Sequence, residues 1–490
     1  MVYQDPSPRR IAFSEWSEQF RQVPDELIQR FRYFADSGNQ PWATYLFPPL
    51  TFALYGSRHL KRLKFDNSLA ALRMWGFVMN ETERLFRARQ IGRRVVATMG
   101  DLGVTPPLVL GAGNALPFYP DCIWWLPFMN ESSVLLDAAA RAGIGESACY
   151  SRAALGAFIK RSYFPDPALC IAATGASCDD FSAVEQLVES LGFPVFWLEM
   201  PLRKDCEGNE NLGTVHKQGQ SPIFRKDCTD YGHSVREFIT AQFRSLHQHL
   251  QQVLEAPLGV SDLQASLRKV NHVRSLVRQI KLQAYSAPAA VLPALELMVI
   301  EFGNLHFYSD VDEWTSILDH VLRTVSQRAA ARRYLGPADA LRVIWVTPPA
   351  DPLLLSYAED QGLRIVGSEY LINQALPELP VDDDPVRALA ESLLQASLIG
   401  STRYRAERVA EQVRQYQAEG IVISGILGGS HCALETNLLQ DYLTKELDLP
   451  VLSFDVPSPG SLIQGQLKTR IEAFVEVLRE RRRTADGGHE

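Results

Sequence analysis

Glu419-Gly-Ile-Val-Ile-Ser-Gly-Ile-Leu-Gly-Gly-Ser-His-Cys432 leads into a stretch of helical character and then into Pro450-Val-Leu-Ser-Phe-Asp-Val-Pro457. The β-branched run bounded by glycines reads as a buried strand, the glycines as a tight turn, and the cysteine as the opening of a helix. The same plan occurs earlier: Asp166-Pro-Ala-Leu-Cys-Ile-Ala-Ala-Thr-Gly-Ala-Ser-Cys178, a helical stretch, then Pro194-Val-Phe-Trp-Leu-Glu-Met-Pro201. In open α/β sheets the loop beyond a strand's carboxyl end is where ligands bind. Two equivalent thiols at two such loops predict an inorganic ligand shared between two related domains.

At 490 residues the chain exceeds one ordinary core, so several domains are expected. Residues 1–92 mix aromatics and charges at helical spacing and read as a helical N-terminal extension, a packing or subunit-contact arm. Residues 93–231 alternate strand and helix and form a first α/β lobe, ending in a polar, irregular loop from Arg203 to Tyr231. Residues 232–336 are a helical middle, broken at Ala256-Pro257-Leu258-Gly259, with Ser261-Asp262 as the next cap. Residues 337–490 resume the alternation with strands at Leu341–Thr347 and Leu363–Gly367, and close with a helix over Ile463–Arg482. Strands alternating with helices predict a parallel sheet in each half.

A net charge of −8 argues against broad nucleic-acid binding. No apolar run reaches membrane-spanning length: Ala287–Phe302 carries Pro288, Pro293, Glu296 and Glu301. The polar start, Met1-Val-Tyr-Gln-Asp-Pro, does not resemble a secretion signal. The seven cysteines (122, 149, 170, 178, 206, 228, 432) lack the spacing of a disulfide framework, so a reducing cytoplasm is expected. Walker-type phosphate loops, G-x-S-x-G elbows and H-E-x-x-H zinc motifs are absent from the sequence. His247 and His249, two apart on a helix, do not share a face and read as a solvated pair.

Cys149 joins the two repeat cysteines. It lies in Gly143-Ile-Gly-Glu-Ser-Ala-Cys149-Tyr-Ser-Arg152, just before helical character. All three thiols are therefore expected near helix N-termini, where the dipole favours thiolate. Ligands so far apart in sequence make a poor zinc finger and suit an iron–sulfur cluster with one open coordination position. Cys170, inside the strand, reads as core packing.

These cysteine contexts, in this order, resemble the 2-hydroxyacyl-CoA dehydratase D-component family, which also contains subunits of ATP-dependent benzoyl-CoA reductases. The resemblance rests on Cys149-Tyr-Ser-Arg, on Cys178-Asp-Asp between strand and helix, and on Ser430-His-Cys432 after Gly420-Ile-Val-Ile. A closing helix, Gln466-Leu-Lys-Thr-Arg-Ile-Glu-Ala-Phe474, follows an acidic strand end at Asp455. Together they cover roughly residues 95 to 480. The resemblance implies two flavodoxin-like (Rossmann-like) lobes and a 4Fe–4S cluster on Cys149, Cys178 and Cys432. It implies an acyl-CoA substrate, a related second subunit in a heterodimer, and an ATP-hydrolysing activator that injects the starting electron. The implied chemistry adds one electron to the thioester, giving a ketyl radical anion that expels the 2-hydroxyl; the electron is then returned.

Alternatives remain at this point: a benzoyl-CoA reductase-type subunit, a double-cubane reductase recruiting further cysteines such as Cys122, or a non-catalytic electron relay. The chain departs from the family in Gly428-Gly429-Ser430-His431 before the third cysteine, where basic or amide residues are common, which alters the cluster's surroundings. His431 is a candidate donor to a substrate oxygen or a cluster sulfide, with a satisfied loop histidine as the equal alternative, and Ser430 and Thr174 are weaker candidates. Cys206 and Cys228 match no role.

Overall fold

The computed structural model describes residues 3–31, 44–46, 60–99, 103–120, 133–145, 148–201, 233–396, 399–456 and 464–487. Cys122, Cys206, Cys228 and the loop Arg203–Tyr231 lie outside these residues.

An N-terminal ribbon pairs β1 (Arg10–Ala12) with β2 (Lys64–Asp66), antiparallel. The first lobe holds β3 (Arg94–Met99), β4 (Ala115–Phe118), β5 (Leu169–Gly175) and β6 (Val195–Met200), parallel in the order β4-β3-β5-β6. The second holds β7 (Leu341–Val346), β8 (Leu363–Glu369), β9 (Gly420–Ile426) and β10 (Val451–Val456), parallel in the order β8-β7-β9-β10. Counted from each lobe's own first strand, both orders are 2-1-3-4, the flavodoxin-like winding. The protein is α/β, with two such lobes. The central strands are apolar because helices cover both of their faces; every residue of β9 is buried.

The extension is not helical throughout, since β1 and β2 pair within it. Three-residue strands more than fifty positions apart are too short to show an alternating pattern. The ribbon is fixed by packing: Phe13, Trp16 and Phe65 meet with ring centroids 4.7 to 5.2 Å apart, and Trp75 and Phe65 form a T-shaped pair at 5.2 Å. The buried Asp66 carboxylate accepts from both Arg328 amino groups at 2.5 and 3.1 Å, tying the ribbon to the helix Val311–Ala330.

The helical middle comprises His233–Leu254, Val260–Ser286, Ala294–His306 and Val311–Ala330. The second of these is capped by Gly259 rather than at Ser261-Asp262, because Asp262 reaches back to accept the Gly259 N–H at 3.2 Å. The two histidines are partnered, not solvated: His247 Nε2 meets the Leu258 carbonyl at 2.8 Å and the His249 ring packs on Phe196. Among the described residues no helix is long and apolar enough to cross a membrane.

Val260–Ser286 touches both lobes. Ser266 Oγ donates to the Pro107 carbonyl in the first lobe at 2.7 Å. Toward its other end, carbonyls of Ala284 and Tyr285 accept from Arg364 and Arg342 of the second lobe at 2.8 and 3.1 Å. Between these sits Arg274, 1% exposed. Its Nη2 donates to the Gly103 carbonyl in the loop beyond β3, at 2.7 Å, and its Nη1 to the Pro377 carbonyl beyond β8, at 2.6 Å. Gly103 has φ +82, and a Cβ there would stand 2.7 Å from the Ala375 Cβ, so only glycine lets the two loops meet. Arg274→Met removes two charge-assisted hydrogen bonds and leaves two carbonyls buried, an expected loss of about 2–4 kcal/mol. A urea titration reads this as a lowered midpoint. Arg278→Ala, on the exposed pair with Glu378, should shift it by less than about 1 kcal/mol.

Glu185 lies on the helix Asp179–Ser190 that covers β5. It is 1% exposed, and neither carboxyl oxygen has a hydrogen-bond partner. Burial, then the nearby Glu189 charge, push its pKa up from 4.5 to about 8. Between those two values the unfolded chain sheds this proton and the folded chain keeps it. The group's contribution is therefore fully present at low pH and is lost as pH rises toward 8, by up to about 1.4 kcal/mol per pH unit. Glu185→Gln should gain over the natural protein steadily from pH 5 to pH 8 in urea titrations; an offset independent of pH would contradict this assignment.

Candidate functional site

Each lobe's third strand ends at the point where its winding reverses, and each sends a cysteine from that end. Beyond β5, Gly175 turns at φ +80, where a Cβ would lie 2.4 Å from the Met200 carbonyl oxygen. Cys178 then caps the helix Asp179–Ser190. Beyond β9, Cys432 lies in the short helix Ser430–Ala433, with the longer helix Thr436–Leu447 following. A Cβ on Gly425 would lie 3.4 Å from the Cys432 carbonyl oxygen and 2.5 Å from an Asp455 carboxylate oxygen, so glycine lets this loop settle on its strand. Cys149 comes from the first lobe, ahead of the turn Tyr150–Arg152 and the helix Ala153–Lys160.

The three thiols converge closely enough to act on one another. Burial first, then the Cys149 charge and Asp180, push Cys178 up to about 12. Burial, then Cys178 and then Cys149, push Cys432 well above the ordinary thiol range. Cys149 is raised by burial, with the Ser151 backbone N–H opposing. This corrects the expectation that helix dipoles favour thiolate here. Backbone N–H groups of Asp180 and Phe181 do lower Cys178, but withdrawal from water and like-charge repulsion outweigh them. Asp180 spans the first-lobe pair: its carboxylate accepts the Cys149 N–H at 3.4 Å and lies 3.9 Å from Cys178 Sγ.

On the second-lobe side, Arg405 from the helix Thr402–Tyr416 lowers Cys432 and Glu369 raises it. Arg405 is itself gripped by Glu369 at the end of β8 and by Glu435, three residues beyond Cys432. At the end of β7, Thr347 has φ 55 and ψ 54, an unfavourable conformation for a β-branched residue. It is held by its N–H to the Glu369 carbonyl and by its own carbonyl, which accepts from Ser424 Oγ, both at 2.7 Å.

Of the residues singled out from sequence, Cys149, Cys178 and Cys432 come together. Cys170 is fully buried within β5. Thr174 is exposed at the end of that strand. Ser430 and His431 have their backbone in the short helix with Cys432, but their side chains lie outside those described. Asp180 is the last residue of the Cys178-Asp-Asp motif, but nothing in the sequence alone marks its link to Cys149. Arg405, Glu369 and Glu435 come from separate elements, and no local pattern announces them. Among the described residues no set of three or more His, Cys, Asp or Glu is gathered tightly enough to hold a single metal ion.

The donor set suits a cationic inorganic group. Two buried thiols and a half-buried third, opposed in ionisation by desolvation and, at Cys178 and Cys432, by their neighbouring thiols, become thiolates together only if positive charge is supplied, as a metal does. The model of the family described as 2-hydroxyglutaryl-CoA dehydratase, D-component, matches residues 104–478, a span holding all three cysteines and every lobe strand except β3. No curated protein matches the sequence. The chain therefore belongs to the 2-hydroxyglutaryl-CoA dehydratase D-component family, as a dehydratase-type enzyme subunit.

Proposed function

We propose that this chain is the iron–sulfur subunit of a 2-hydroxyacyl-CoA dehydratase-like enzyme, with Cys149, Cys178 and Cys432 holding a 4Fe–4S cluster that keeps one iron position open. The supporting observation is the mutual electrostatic action of three thiols from two topologically equivalent loops and a third loop beside them. A single tetrahedral ion with bonds of about 2.3 Å draws its thiolates to about 3.8 Å of one another. A cubane whose cysteines each bind a different iron holds them farther apart, so it does not need that tight spacing. Bound there, the cluster supplies a low-potential electron to the acyl-CoA thioester and an open Lewis-acid position.

The chain's own residues prepare the site. Asp180 fixes the Cys149 loop relative to Cys178. Gly175 and Gly425 allow the two switch-point loops to lie against their sheets. His431 and Ser430, on the loop that carries Cys432, are the proposed donors to the substrate oxygen. A related second subunit completes the enzyme, and a separate ATP-hydrolysing activator delivers the first electron, all in an anaerobic, reducing cytoplasm.

Anaerobically purified protein should carry about four irons and matching sulfide, and lose both in Cys178→Ala and Cys432→Ala while keeping them in the packing variant Cys170→Ala. About eight irons would favour a double-cubane reductase. No iron in the natural protein, or iron retained in both ligand variants, would refute the assignment.

A further inference from the structure

The buried charges beside Cys432 are arranged with more care than packing requires. Arg405 is 3% exposed and aims its fork at Glu369, Nη2 to Oε2 at 2.7 Å and Nε to Oε1 at 3.2 Å. Its remaining amino group, Nη1, reaches Glu435 Oε2 at 2.6 Å. Burial works to discharge the guanidinium, but Glu369 and Glu435 outweigh it and hold Arg405 above its ordinary pKa. Two carboxylates and one guanidinium thus sit beside Cys432: Arg405 lowers that thiol and Glu369 raises it, and Glu435 opens the helix that follows the cysteine. Such charges are screened little in a buried site. The potential of an iron–sulfur cluster responds to the net charge around it: a cation stabilises the added electron and an anion opposes it.

Granted the cluster proposed above, on which this assignment rests, we propose that Arg405 is a positioning residue which, with Glu369 and Glu435, sets the reduction potential of the cluster bound through Cys432. Arg405 does not touch the reacting atoms; it acts through the Cys432 loop. A purely structural clamp and a charge-tuning group differ in one respect. Loosening a clamp from either side disturbs the cluster in the same sense, whereas removing opposite charges moves the potential in opposite senses.

The test is an anaerobic redox titration, followed by EPR, on the natural protein, Arg405→Gln, Arg405→Lys and Glu435→Gln, each with iron counted. The expected result is a lower midpoint potential in Arg405→Gln, a higher one in Glu435→Gln, and a value near the natural one in Arg405→Lys. Arg405→Gln removes the Arg405 partner of the buried Glu369 carboxylate and is the variant whose folding is at stake. Should Arg405→Gln fail to fold, Glu435→Gln decides, because its amide oxygen can still accept from Arg405 and its side chain is 26% exposed. A potential that falls or stays unchanged in Glu435→Gln, with iron content intact, overturns the tuning role while leaving the cluster assignment standing. No iron in the natural protein overturns the cluster assignment, and the tuning role with it.

Discussion

The hydrogen bonds of Arg274 to Gly103 and to Pro377 join the loop beyond β3 to the segment beyond β8, and a site divided between two lobes requires such a tie. The helix Val260–Ser286 that carries Arg274 is 27 residues long, about 40 Å at 1.5 Å per residue, enough to lie along both lobes. Its contacts alternate by lobe: Pro107 near one end, then Gly103 and Pro377, then Arg342 and Arg364 near the other. With the lobes fixed in this way, two identical windings bring their switch points, and the cysteines beyond them, into one place. Each lobe alone would present a single loop of the ordinary α/β ligand-binding kind.

What gathers there is electrostatically unfinished. Burial raises all three thiols, and the other thiols add to it at Cys178 and Cys432, while the neighbouring charges divide by lobe. Asp180 brings negative charge to the Cys149 and Cys178 side, whereas Arg405, bound by two carboxylates, brings a cation to the Cys432 side. The cluster proposed here would, through its positive charge, resolve the opposition among the thiols, and the flanking charges would bias how readily it takes an electron. Thr347, held in a left-handed conformation by Glu369 and Ser424, shows that the same corner of the second lobe also stores backbone strain.

Much of this could be anticipated from the sequence, for identifiable reasons. β5 and β9 are apolar runs that end at glycine and cysteine, so strand, turn and ligand candidate are announced within fourteen residues. The helix-proximal context of Cys149 groups it with the others, and the structure brings it beside Cys178, with Asp180 meeting both. The ribbon of β1 and β2 was not legible, because its pairing is long-range and each strand is three residues. The raised pKa values of the thiols run against the sequence expectation because the dipole of a helix is readable from sequence and the depth of burial is not. The grip of Glu369 and Glu435 on Arg405 joins three elements with no shared local pattern, so only the fold reveals it.

The central claim is that cysteines from both lobes share one metal group. The most direct measurement is an anomalous difference map at the iron edge, from crystals grown without oxygen. The account predicts one compact iron peak between the lobes, in bonding contact with the sulfurs of Cys149, Cys178 and Cys432. Iron confined to one lobe, or bound instead by Cys122, Cys206 or Cys228, would contradict it.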